Sequence, residues 1–188
     1  MAHVLLLHSV LGLRPAVRAA ADRLRAAGHQ VTAPDLYGVP ATDTVEEGFA
    51  RFAEVGPETV LARARAVAGT LPADTVLAGF SMGAGLAGAL LAERPDAAAV
   101  LLLHGTGGAP ESVRPGLPVQ LHLAVPDAYE PDDEVTQWRQ AMTAAGAELS
   151  VHRYPGPGHL FTDPDLPDHD APATALTWDR TVGFLAGL

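Results

Sequence analysis

The sequence predicts an α/β fold: a mostly parallel sheet flanked by helices on both faces, in one domain spanning residues 1–188. Three observations carry this. Short apolar runs alternate with longer helix-like stretches along the whole chain. Several runs, such as VLLLH at 4–8 and AAVLLLH at 98–104, are apolar throughout, as in strands covered on both faces. No internal repeat, long linker or composition break interrupts the alternation.

In chain order, a first strand is expected over His3–His8, followed by a helix over Pro15–Ala27 with Gly28 as its stop. A strand over Gln30–Ala33 and an Ala/Arg-rich helix over Glu58–Ala68 come next. The strand Thr75–Ala78 runs into a helix over Met82–Glu93, which halts before Pro95. The strand Ala98–His104 is followed by a Gly/Pro-rich loop, Gly105–Leu117. Beyond it, the strand Val119–Ala124 leads to a helix over Asp132–Ala145, opened by carboxylates that suit its dipole and ended at Gly146. The strand Glu148–Tyr154 and a helix over about Ala173–Leu185 close the chain.

Composition narrows the function. With 48% hydrophobic and 18% charged residues, 188 residues can bury one sizeable core. A net charge of −10 argues against nucleic acid, whose binding needs a basic footprint. All twelve basic residues are arginine. The absence of cysteine excludes disulfides, a thiolate zinc site and a cysteine nucleophile. No apolar run reaches membrane-spanning length, and Met1 leads straight into a strand-like run. A cytoplasmic protein without membrane partners is expected.

Gly79-Phe80-Ser81-Met82-Gly83 fits G-x-S-x-G between an apolar strand and a helix-like segment, the context that the motif requires. A strand turning this sharply into a helix crowds the residues two before and two after the serine, so both must be glycine. The serine itself is expected in strained φ/ψ, its hydroxyl lifted from the sheet edge beside free N–H groups. A serine hydroxyl needs a base. His159, in the loop PGPGHLF after the last strand, is the candidate, whereas His8, His104, His122 and His152 lie in or at the ends of strands. An acid must fix the imidazole, and Asp127 stands directly after the preceding strand. Ser81, Asp127 and His159 follow the chain order of an α/β-hydrolase triad. The brevity of the Gly105–Leu117 loop, near where a lid is often inserted in that fold, predicts an open site without a lid domain.

The segments HVLLLHSVLGLRPAVRAAADRLRAAGHQVTAPDLYG, AGFSMGAG, HLAVPD and YPGPGHLF, spread over nearly the whole chain, resemble the dienelactone hydrolase family. That resemblance implies a Ser81–His159–Asp127 triad, with the backbone N–H groups of Val10 and Met82 as oxyanion hole. Ser9, Leu11, Tyr37, Phe161 and Asp163 become candidates for contact with substrate. The chain departs from the family's namesakes at three positions: Ser81 stands where they have cysteine, Ser9 where they have a glutamate that activates it, and Asp163 where they have an arginine that holds a substrate carboxylate. If Asp163 lines the site, its charge should turn carboxylate-bearing substrates away.

The run Asp163, Asp165, Asp168, His169, Asp170 lacks paired histidines at helical spacing and reads as a solvated acidic loop, not a metal site. The reading is therefore a cofactor-free serine hydrolase acting on a small ester or lactone. The alternatives are a relative that performs acyl transfer or a biosynthetic cyclisation, and a catalytically silent small-molecule-binding protein.

Overall fold

The computed structural model describes all 188 residues. Six strands form one wholly parallel sheet in the order β2-β1-β3-β4-β5-β6. They are β1 (His3–Leu7), β2 (Gln30–Thr32), β3 (Val76–Phe80), β4 (Val100–Leu103), β5 (Leu117–Val125) and β6 (Ala147–Pro155). The helices are α1 (Pro15–Ala26), α2 (Val45–Val55), α3 (Pro57–Ala68), α4 (Met82–Leu91), α5 (Asp132–Ala144) and α6 (Ala171–Ala186).

The apolar runs alternate between two cores. Val4, Leu6, Val76, Ala78, Leu101 and Leu103 point to one face, where α1 supplies Val17 and Leu24 and α6 supplies Trp178 and Leu185. Leu5, Leu7, Leu77, Leu102, Leu121 and Leu123 point to the other, against α3, α4 and α5. Burial on both sides explains why these strands read as continuous hydrophobic segments. The chain reverses its direction of travel across the sheet between β1 and β3, and a crevice at the carboxyl ends of the strands is expected there.

One element escaped the sequence reading. The sequence reading places no element between Pro40 and Glu58, but Val45–Val55 is a helix, capped where Thr44 Oγ1 accepts a hydrogen bond from the Glu47 N–H. Thr44 followed three residues later by Glu47 is a start signal that could have been used. Helix α2 packs tightly on the loop after β1, since a Cβ on its Gly48 would approach the Val10 carbonyl oxygen to 2.9 Å. The loop Gly105–Gly116 between β4 and β5 carries no inserted lid domain, and no helix is long and apolar enough to cross a membrane.

The far edge of the sheet hides a polar network. His122 is fully buried, accepting a hydrogen bond from the Tyr154 hydroxyl at Nδ1 (2.8 Å) and donating from Nε2 to Gln120 Oε1 (2.9 Å). Both nitrogens are satisfied in the neutral ring. Burial first, and then the charges of His152 and Arg180, push its pKa down from 6.5 to about 3. Below pH 6.5 the unfolded imidazole takes up a proton that the folded one refuses, so stability falls with pH. Between pH 6.5 and 5 the loss from this residue is about 2 kcal/mol. Urea unfolding at pH 7 and pH 5 should show that His122→Leu, although less stable at neutral pH, loses about 2 kcal/mol less on acidification. Equal losses would place the acid sensitivity in other buried histidines.

Candidate active site

Ser81 sits between β3 and α4 at φ 49° and ψ −109°, a left-handed conformation rare for a side chain. The glycines that flank it are obligatory. A Cβ on Gly79 would lie 2.1 Å from the Gly83 carbonyl oxygen, and one on Gly83 would lie 2.3 Å from that of Leu7. The turn is packed against itself on one side and against β1 on the other.

Three side chains from three loops meet at this turn. The Ser81 hydroxyl donates to His159 Nε2 at 2.8 Å, and His159 Nδ1–H donates to Asp127 Oδ2 at 2.7 Å. The Asp127 side chain is 1% exposed and that of His159 9%. The second Asp127 oxygen accepts the Tyr129 N–H at 2.9 Å, so both carboxylate oxygens are held and the imidazole is given a single tautomer.

Val10 follows β1, and Met82 opens α4 with its N–H free by position. Tyr37 holds these two residues together. Its buried hydroxyl donates to the Val10 carbonyl at 2.9 Å and touches Met82 Sδ at 3.4 Å. Burial raises the pKa of this phenol to about 12, so it remains a donor at any ordinary pH. The turn that delivers Tyr37 is itself fixed: Asp35 Oδ1 accepts the N–H groups of Tyr37 and Gly38, and His8 Nε2 accepts that of Leu36.

The residues expected to touch substrate lie mostly beneath the site. Leu11 and Phe161 are fully buried, Leu11 packing with Val10 and Leu160, and Phe161 edge-on against His104 at 4.5 Å. Tyr37 is likewise buried, as above, and the Ser9 hydroxyl caps the Leu11 N–H at 3.2 Å. The largest correction concerns Asp163. Its Oδ2 accepts Arg14 Nε at 2.6 Å, with both side chains under a tenth exposed. The guanidinium offsets its charge inside the protein, which removes the ground for expecting Asp163 to turn substrate carboxylates away.

Nor is the acidic run a solvated loop. Asp168 Oδ2 accepts the Leu160 N–H at 3.0 Å beside the histidine, Asp170 caps α6 through the Ala173 N–H, and His169 donates to the Phe161 carbonyl. Only Asp165 among its carboxylates lies exposed. The run is a scaffold that holds the His159 loop, and Arg14 ties that scaffold to the Thr42 carbonyl and Asp43 at the entry to α2.

Three residues at the site were not singled out as site residues from the sequence. The Tyr129 ring lies 4.7 Å from the His159 ring and 6.4 Å from that of Phe49 on α2, and both aromatics are half exposed. Glu130 lies just ahead of α5 and accepts a hydrogen bond from Thr106 Oγ1 at 2.8 Å. An aromatic–carboxylate pair directly after the candidate acid was the available signal.

The sequence profile described as the dienelactone hydrolase family matches residues 1–188. The comparison with curated proteins returned no match. Among solved structures, a candidate dienelactone hydrolase from Klebsiella pneumoniae subsp. pneumoniae MGH 78578 is 22% identical at a TM-score of 0.80, covering 99% of this chain and 87% of that one. The dienelactone hydrolase-like promiscuous phosphotriesterase P91 from metagenomic libraries is 17% identical at 0.79, covering 100% and 87%. A phospholipase/carboxylesterase from Dyadobacter fermentans DSM 18053 is 18% identical at 0.67, covering 96% and 89%. At these identities the structural likeness establishes the α/β-hydrolase fold.

Proposed function

The chain belongs to the dienelactone hydrolase family, and from that premise we propose that it is a serine hydrolase that cleaves a small ester or lactone through an acyl-enzyme. The observation that carries this reading is the unbroken hydrogen-bonded line from Asp127 through His159 to a strained Ser81. In the proposed reaction, Ser81 Oγ attacks the carbonyl carbon as His159 Nε2 takes its proton. The N–H groups of Val10 and Met82 receive the developing oxyanion. Collapse expels the alcohol, which takes the proton from His159 and leaves the acyl group on Ser81. A water then attacks the acyl-enzyme, giving its proton to His159, and the acid departs as Ser81 is reprotonated. Asp127 stabilises the transient imidazolium and keeps its tautomer. Only side chains, backbone and water take part.

A fluorophosphonate probe tests the assignment directly. It should add covalently to Ser81, located by peptide mass spectrometry, and heat-denatured protein should not be labelled. An active fold that resists the probe, or carries it on another residue, would remove Ser81 as nucleophile.

A further inference from the structure

Beside Ser81 stands a carboxylate that the proposed relay does not use. Glu130 is half-buried, and its Oε2 is held by Thr106. Its other oxygen faces Ser81 across a residue with no side chain: a Cβ on Gly105 would be 3.1 Å from Ser81 Cα and 3.2 Å from Glu130 Oε1. None of the ion pairs in the molecule includes Glu130. Burial, above all, raises its pKa, with Asp127 adding to the rise and Thr106 and His159 opposing it. A carboxylate partly stripped of water beside a reaction centre is a group that a bound cation would stabilise.

The surroundings suit the same guest. Tyr129 and Phe49, both half exposed, form an aromatic lip beside His159. Ring faces attract cations, most strongly ones that shed water easily, and a carboxylate beside them adds the counter-charge. The net charge of −10 draws cations towards the molecule and turns anions away. We propose that Glu130, with Tyr129 and Phe49, forms a subsite for an ammonium group on the substrate, so that cationic esters are preferred over neutral and carboxylate-bearing ones. The proposal rests on Ser81 being the nucleophile of an ester hydrolase.

The test compares matched esters that differ only in trimethylammonium against tert-butyl. The group is carried on the alcohol side in one pair and on the acyl side in the other. In at least one pair the cationic ester should have a kcat/KM about tenfold higher. Glu130→Gln should bring that ratio to within about twofold of unity, and Phe49→Ala, a change at an exposed position, should lower it partway. Ratios near one in both pairs for the wild-type protein, or a ratio that survives Glu130→Gln, would overturn the subsite. A second measurement does not need turnover. Tetramethylammonium titrated into the Ser81→Ala protein should show saturable binding by NMR, lost when Glu130→Gln is added. If no ester is turned over but this binding is present and depends on Glu130, the subsite stands and the hydrolase reading falls. If esters are turned over and tetramethylammonium does not bind, the hydrolase reading stands and the subsite falls.

Discussion

Ser81→Ala should lower kcat on p-nitrophenyl acetate by about 10⁵-fold or more while leaving KM within a few-fold. The argument runs from the geometry. A serine hydroxyl is a poor nucleophile unless its proton has somewhere to go, and the acceptor 2.8 Å away is His159 Nε2. Removing either partner removes the same event, so His159→Ala should cost about as much and the double variant no more than either single one. Asp127→Asn is the informative third variant. Its amide can donate to His159 Nδ1, which would place the ring proton on Nε2 and block acceptance from Ser81. A loss of about 10⁴-fold with the fold intact is expected, as for a triad acid. Steady-state kinetics on the four proteins decides the matter. Losses that multiply would mean that Ser81 and His159 do not act as a unit.

The second large effect concerns stability. Asp163→Ala leaves the Arg14 guanidinium buried, with only Asp43 and the Thr42 carbonyl as partners. Breaking a buried pair from one side costs about 3–5 kcal/mol, and the remaining partners hold this case near 3 kcal/mol. For a chain of this size that lowers Tm by roughly 6–12 °C. Asp43, whose side chain is 93% exposed, should contribute far less, and Asp43→Ala should shift Tm little. The double variant Arg14→Met with Asp163→Leu should recover much of the loss, because no charge is then left stranded. Calorimetry on these variants separates the cases. Equal shifts for Asp43→Ala and Asp163→Ala would show that burial does not set the strength of the pair. Asp163→Arg, the substitution towards the family's namesakes, would press a second guanidinium against Arg14.

The fold and the central residues were legible because they rest on local chemistry. The strands announce themselves by apolar runs, and Ser81 by two glycines whose absent side chains make its turn sterically possible. The order of serine, acid and base along the chain did the rest. Contacts between residues far apart in sequence were not legible. Nothing near Asp163 says that Arg14, at the other end of the chain, reaches it, and so a buried ion pair read as an exposed charge. The acidic run failed differently: Asp168 accepts the Leu160 N–H eight residues back and Asp170 caps α6, local roles that a run of like charges does not reveal. Helix α2 is a different kind of miss. Its capping signal is local, but it stands among loop-like residues.

The order of the strands has a consequence for how the molecule is made. After β3, each new strand is laid beside the one before it, and the sheet grows along a single edge. As the chain leaves the ribosome, β1, β3 and β4 can therefore associate in sequence, and no later strand has to be inserted between neighbours already paired. The Ser81 turn belongs to the earlier part of this growth and His159 to its last step, because His159 follows β6. A nascent chain would carry Ser81 well before it carried His159, so on the proposed reading reactivity would be switched on only after β6 has joined the sheet.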